Sequence, residues 1–533
     1  MTVVRTLAGE DVPLVAPGCA VAGPNLASAE AGEELAEAGG NAVDCALAAI
    51  VAALVSEPGI ASLGGGAFVT VTGPGIEPVT VDGSVAMPGL GLPPEAFGHG
   101  LDPVHLPGYG DTRTEVGPGS VATPGTLRAL ELASHRFGRL PFASVLRPAA
   151  RIAREGFTFG RAADYYLGHA RESIFERDPA VRAVLTGEDG PAAAGDRLRL
   201  PELGDFLDEV AREGSRVLHE GEVAVRLVEG LRAGGGILTL EDLSAYTPVL
   251  RPALRIRTGG WEWATNPPPS VGGTMLAAML LLADGVDRDA GWDDRDLVAV
   301  ERAVLARRIP ELDLARDRTA AAQALIDDIA AHGPEWLHTS PSTVHVSAVD
   351  SDGTACAVTA SSGYGCGLAV PGTGIWLNNC LGERELNRRG VHALAPGERL
   401  VSNMTPTVGR RADGTVLAIG SPGADRIATA VFQTLLALGS GADLDAAIGR
   451  PRVHVTCTED GTPQFLEAEA DVSLAPEDAD GLPVRRHAPH SMFFGGVAAA
   501  RRGPDGRIGA AADPRREGAV AVAGPGGVQN SPT

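Results

Sequence analysis

Residues 43–55 (VDCALAAIVAALV) constrain the fold of this 533-residue chain more than any other segment. Read as a helix, they are apolar on nearly every face, so the helix has no solvent side and belongs between layers. Asn41 stands where an N-cap belongs, just after the glycine pair Gly39-Gly40 that stops an Ala/Glu-rich helix at 29–38. Glu57-Pro58 closes the apolar helix, which is too short to span a bilayer. Gly64-Gly65-Gly66 follows, then an alternating run at 67–71 that reads as a strand. A phosphate cradle lies between a strand and the next helix, so glycines ahead of a strand predict close backbone packing instead.

Further along, amphipathic periodicity predicts helices at 127–137, 142–155 and 222–233. The turn Pro267-Pro268-Pro269-Ser270 precedes Gly272-Gly273 and a helix at 275–283. The aspartate-rich stretch 284–296 lacks the EF-hand spacing and reads as a solvated loop. From residue 343 the texture changes. Residues 343–349 alternate as a strand, 350–354 form a turn, and 355–361 return as a second strand. Other strands are expected near 415–419, 452–456 and 495–499, with a helix at 424–438 and a frayed tail over the last dozen residues. There is no internal repeat. Antiparallel strand pairs with fully apolar helices predict layers ordered helix, sheet, sheet, helix.

The net charge of −23 repels phosphate backbones and argues against a nucleic-acid partner. All 44 cationic residues other than histidine are arginine. The absence of lysine excludes a pyridoxal-phosphate aldimine, a Schiff-base aldolase and a Walker A loop on this chain. The six cysteines show no CxxC pair and read as small buried thiols. No signal-like h-region opens the chain, so a cytoplasmic protein without membrane partners is expected. His345 reads as structural. His487 and His490 alone do not make a metal site, and neither a metal nor an organic cofactor is expected.

One arrangement suggests chemistry. Thr343 opens a strand directly after the loop Leu337-His338-Thr339-Ser340-Pro341-Ser342. A hydroxyl there can attack the preceding carbonyl, shift the acyl group from nitrogen to oxygen, and be freed by water. The new terminus would hold a nucleophile and a base on one residue. A free α-amine has a reference pKa of about 7.7–8.0 and is partly neutral at physiological pH. A threonine hydroxyl is inert until a base takes its proton, which the amine can do through a bridging water.

The wider constellation resembles the γ-glutamyltransferase family over nearly the whole chain. Gly39-Gly40-Asn41-Ala42-Val43-Asp44, Glu57-Pro58 and Gly64-Gly65-Gly66 are similar to its amino-terminal signature. Gly138-Arg139-Leu140-Pro141, Gly156-Phe157, Leu238-Thr239-Leu240-Glu241-Asp242-Leu243 with Tyr246, and Pro267-Pro268-Pro269-Ser270 follow in family order. Thr343-Val344-His345-Val346-Ser347-Ala348-Val349-Asp350 falls where the family has its nucleophile strand. Leu377-Asn378-Asn379, Met404-Thr405-Pro406-Thr407, Gly420-Ser421-Pro422-Gly423 and Ala512-Asp513-Pro514-Arg515 complete the match. The resemblance implies an N-terminal-nucleophile hydrolase, a four-layer αββα sandwich made as one precursor. Cleavage between Ser342 and Thr343 would give a large fragment, 1–342, and a small fragment, 343–533, intertwined in one globular unit.

By the same resemblance Thr343 is the nucleophile, and Ser361 stands where a threonine bonds its amine. Gly423 and Ala424 occupy the oxyanion-hole pair, whose donors are backbone N–H groups. Ser402 matches the first of two substrate-side serines, and Asn403 replaces the second. The recognition positions depart from the pattern. The family's α-carboxylate arginine lies in a stretch that here reads Asp82-Gly83-Ser84-Val85-Ala86-Met87-Pro88, so Ser84 takes its place. Gly363 replaces an asparagine that helps hold the same group. Glu383 stands for the acid that meets the substrate amine, and Cys380 replaces a nearby glutamine. Charged hydrogen bonds of this kind are worth about 1.5–3 kcal/mol each. Losing several predicts a large loss of affinity for γ-glutamyl groups.

The expected function is therefore an autoprocessed threonine hydrolase or acyltransferase acting on an amide other than ordinary glutathione. A second reading is a related hydrolase that breaks a carbon–carbon bond, removing an oxalyl-type group in an antibiotic amino-acid pathway. A third is an unprocessed, non-catalytic binding protein, against which Thr343, Ser361, Ser402 and Gly423 argue. The partners expected are a small-molecule substrate and the two fragments of one precursor; a homo-oligomer is compatible with the sequence.

Overall fold

A helix that is apolar all round needs neighbours all round, and the helix expected at 43–55 has them. The structure, a computed structural model, describes residues 3–5, 11–13, 18–107, 109, 112–187, 190–284, 292–332, 343–423, 425–458, 462–474, 479 and 481–524. Its core helices are α1 (Leu26–Glu37), α2 (Ala42–Ser56), α3 (Thr126–Phe137), α4 (Phe142–Glu155), α5 (Gly272–Asp284), α6 (Asp294–Leu305) and α7 (Arg426–Gly439). Every residue of α2 is buried, against α1 and α4 on its outer side and a sheet on its inner side. No helix among the described residues is long and apolar enough to cross a membrane.

Two antiparallel sheets form the middle of the molecule. Their strands are β1 (Cys19–Gly23), β2 (Gly66–Gly73), β3 (Ile76–Gly83), β4 (Val249–Pro252), β5 (Leu254–Thr258), β6 (Trp261–Thr265) and β7 (Val344–Asp350). There follow β8 (Ala355–Ser361), β9 (Thr407–Arg411), β10 (Val416–Gly420), β11 (Ala498–Arg502), β12 (Ile508–Ala512) and β13 (Ala519–Ala523). The first sheet runs β4-β3-β2-β8-β7-β1-β13 and the second β5-β6-β9-β10-β11-β12. Strands from before and after residue 343 are therefore neighbours in both sheets. The pair β7–β8 is inserted between β2 and β1, with hydrogen-bonded ladders on either side.

The packing assigns the layers. Val43, Leu47 and Ile50 of α2 meet Val21, Val69, Val346 and Val358 on one face of the first sheet. Met275 and Met279 of α5 and Val431 and Phe432 of α7 meet Leu417 and Ile419 on the outer face of the second. Between the sheets lie mostly alanines: Ala20, Ala22, Ala357, Ala418, Ala498, Ala500 and Ala510. This is the four-layer αββα sandwich. Small side chains let two twisted sheets lie close over a long face.

Several boundaries differ from the sequence reading. The strand expected at 495–499 begins at Ala498, because Gly495 takes a left-handed turn at φ +83° after a short 3-10 turn. The stretch 284–296 is not all loop: Asp293 caps α6 and accepts from the Asp296 N–H at 2.9 Å. Of the dozen residues expected to fray, Val522 and Ala523 pair with Ala20 and Cys19, and 525–533 lie outside the described residues. The free thiols Cys19, Cys45, Cys356, Cys366 and Cys380 are buried, as read.

The cap of α2 joins two distant blocks. Asn41 Oδ1 accepts from the N–H groups of Val43 and Asp44, and its amide donates to the Phe137 carbonyl at 2.7 Å. Asp44 accepts from the N–H of Asn41 at 3.0 Å and of Arg139 at 2.9 Å. Asn41→Ala is expected to destabilise the protein by about 1–2 kcal/mol through the cap alone, read as a lower urea midpoint.

Candidate active site

The register of the first sheet carries the site. Val344 faces Ala360 and His345 faces Thr359, so one further step sets Thr343 opposite Ser361. Ser361 in turn faces Gly66. Neighbours directly across antiparallel strands lie about 4.5–5.5 Å apart at Cα. A cavity opens at this row, lined by Gly66, Ser84, Val85, Thr343, Ser361, Cys380, Glu383, Leu386, Val401, Ser402, Asn403 and Met404. Thr343 is 2% exposed.

Seven of the residues singled out from the sequence thus meet at one cavity: Thr343, Ser361, Ser402, Asn403, Glu383, Ser84 and Cys380. Gly363 lies just behind, where an added Cβ would overlap Asn379 Oδ1 and stand 3.0 Å from Glu383 Oε2. With φ at +61° as well, the position has no room for the family's asparagine. Gly423 is not among the described residues that line this cavity. It takes φ +118°, with the Gly495 backbone against it. Ala424 and Ser342 lie outside the described residues.

Each wall segment is fastened by buried polar groups. An added Cβ on Gly65 would overlap the Ser361 carbonyl oxygen, and on Gly66 would lie 2.7 Å from the Val85 nitrogen. The glycine run therefore serves close backbone packing, as expected. The Ser402 carbonyl accepts from the Val271 and Gly272 N–H groups at 3.0 and 3.1 Å and from the Ser270 hydroxyl at 3.0 Å. The proline-rich turn and the start of α5 thereby hold the Ser402–Asn403 wall.

The Ser84 segment is held with its side chain on the cavity and its carbonyl turned away. Tyr246 and Arg399 donate to the Ser84 carbonyl at 2.6 and 3.0 Å. Arg399 also donates to the Thr247 carbonyl, stacks over the Tyr246 ring at 4.2 Å, and lies 3.8 Å from Asp82. Asp82 pairs with Arg251 at 2.7 Å.

Asn378 and Asn379 are the residues whose part the sequence did not reveal, although their block was legible. Asn378 donates to the carbonyls of Gly64 and Ala122 and accepts from the N–H groups of Ala122 and Cys380. Asn379 accepts from the Tyr364 N–H and donates to Thr114 and the Glu115 carbonyl. Both are fully buried and tie the Gly363 and Cys380–Glu383 segments to the glycine run and to residues 114–122.

His345 is structural, as its reading on the strand suggests. Burial pushes its pKa down to about 3, so the ring is neutral. Ser347 donates to the Ala498 carbonyl at 3.0 Å and therefore accepts from His345 Nε2–H at 2.8 Å. His345 Nδ1 then accepts from the Thr359 hydroxyl at 2.8 Å. This chain links the two sheets behind the Thr343–Ser361 row. His487 stacks on Phe493 and contacts Glu467 at 2.8 Å, away from the cavity. Among the described residues no three His, Cys, Asp or Glu side chains group as metal ligands.

Comparison with known proteins finds relatives over nearly the whole chain. The family profile described as Gamma-glutamyltranspeptidase matches residues 28–523. The glutathione hydrolase proenzyme of Escherichia coli (strain K12) is 27% identical, with 95% of this chain and 92% of the relative covered. The Acylase ACY 1 proenzyme of Pseudomonas sp. (strain V22) is 30% identical over 95% of this chain and 94% of its own. The crystal structure of cephalosporin acylase from Bacillus halodurans superposes with a TM-score of 0.77 at 21% identity, over 100% of this chain and 98% of that one.

Proposed function

Because the chain belongs to the gamma-glutamyltranspeptidase family and is an enzyme of its N-terminal-nucleophile hydrolase type, we propose that it is a threonine acylase for amides other than γ-glutamyl amides. Its relatives are proenzymes, in keeping with an autoprocessed hydrolase or acyltransferase whose precursor yields a large and a small subunit. In this reading the peptide bond before Thr343 is broken by its own hydroxyl, through an ester that water opens. The freed amine then takes the Thr343 hydroxyl proton, and the oxygen attacks the substrate carbonyl. The amine fragment leaves with that proton, and water or a second amine releases the acyl group. Ser361, across the strand, holds the amine. For the oxyanion, the resemblance offers Gly423 and Ala424, and Asn403 on the cavity wall is a further donor.

One observation carries the reading: the Thr343–Ser361–Gly66 row opens on a cavity lined by Ser84 and, among the described residues, by no arginine. Without that bidentate partner a γ-glutamyl α-carboxylate has nothing of opposite charge to meet on the described wall. An oxalyl-type carboxylate faces the same difficulty, which favours amide cleavage over the carbon–carbon reading.

N-terminal sequencing of the smaller fragment of the purified protein is expected to read Thr-Val-His. The same material should release p-nitroaniline from simple acyl anilides faster than from the γ-glutamyl anilide. A chain that stays whole, or a preference for the γ-glutamyl anilide, refutes the proposal.

A further inference from the structure

The cavity wall holds Cys380 and Glu383 as its ionisable side chains and, among the described residues, no arginine or histidine. Glu383 is 5% exposed. It takes a hydrogen bond from the Cys380 thiol and faces the like charge of Glu385, whose carboxylate in turn accepts from the Tyr364 hydroxyl at 2.7 Å. The guanidinium groups of the flanking segments are engaged elsewhere: Arg384 with Glu115, Arg388 with Asp313, and Arg399 with Asp82 and the Ser84 carbonyl. A carboxylate buried without a counter-charge keeps its proton.

The chemistry of the nucleophile argues the same way. Once freed, the Thr343 amine must be neutral to act as a base, and it opens on the same cavity as Glu383. A carboxylate there would hold that amine as an ammonium ion, whereas a carboxylic acid would not.

We propose that the acyl pocket admits an uncharged acyl group and that Glu383 meets it as a hydrogen-bond donor. The proposal rests on the threonine-acylase reading and departs from the family resemblance, in which this acid pairs with a substrate amine. Burial, followed by Glu385, pushes the Glu383 pKa well above the usual carboxylate range, and the Cys380 hydrogen bond only partly opposes it.

Three p-nitroanilides separate the charges: butanoyl, 4-aminobutanoyl and glutaryl, the last two adding an ammonium or a carboxylate to nearly the same chain. With protein shown by sequencing to begin a fragment at Thr343, the butanoyl anilide is expected to have a kcat/KM about tenfold or more above both others. Glu383→Gln, which keeps a donor and removes the acid, should preserve that order. A preference for the 4-aminobutanoyl anilide that Glu383→Gln abolishes overturns the proposal, as does a preference for the glutaryl anilide. Failure of the cut protein to turn over the butanoyl anilide also overturns it. Material with no Thr343 terminus instead overturns the acylase reading beneath it.

Discussion

Thr343→Ala is expected to purify as one uncut chain and to lose acyl transfer by about 10⁴- to 10⁶-fold, the usual cost of removing a nucleophile whose partners act with it as a unit. The substitution removes the oxygen that opens the preceding peptide bond and the oxygen that attacks substrate. It also leaves the α-nitrogen locked in an amide, so the base is never made. Folding should be spared. The backbone of β7 is held by ladders to β8 and β1 that do not use the Thr343 hydroxyl. Intact mass and circular dichroism read the two properties separately. Thr343→Ser keeps the hydroxyl and should still be cut, at reduced rate. Full turnover by the alanine variant would remove the mechanism altogether.

Gly65→Ala is the second large effect, and it acts through backbone alone. A Cβ at this position would overlap the Ser361 carbonyl oxygen and lie 2.8 Å from its carbon and 3.0 Å from Ser362 Cα. These are backbone atoms between two buried strands, so no rotamer change relieves the clash. Either β8 shifts from β2, moving Ser361 away from Thr343, or the sheet loses register at its end. A destabilisation of about 3–5 kcal/mol is expected, at the upper end for one substitution. Thermal unfolding measures it, and the fraction of cut chain measures the damage to the site. Alanine at Gly39, where nothing stands within 4 Å of an added Cβ, provides the contrast. Its positive φ alone should cost about 1 kcal/mol.

The family blocks turn out to be joints between distant segments. Gly39 to Asp44 meets Gly138 to Leu140 through the Asp44 carboxylate. Asp242, in the block at 238–243, accepts from the Gly89 and Leu90 N–H groups just past the Ser84 segment. The proline-rich turn holds Ser402. The segments that carry Ser84 and Ser402 are fastened by residues outside the cavity, so side chains on its wall can change without loss of the frame.

What the sequence determined by itself is local. An unbroken apolar stretch with a cap dictated α2, alternation and a turn dictated the β7–β8 hairpin, and glycines before a strand announced tight backbone contact. Thr343 at a strand start, with its surrounding blocks, pointed to a candidate nucleophile. The tertiary structure decided the rest. β1, β11, β12 and β13 are alanine-rich and carry little intrinsic preference for extended backbone; they are strands because only small side chains fit between two stacked sheets. Likewise no spacing along the chain announces that Ser84, Cys380, Glu383 and Ser402 share one cavity with Thr343. The raised pKa of Glu383 is of the same kind, since it follows from burial and the neighbouring Glu385 and not from the residue itself.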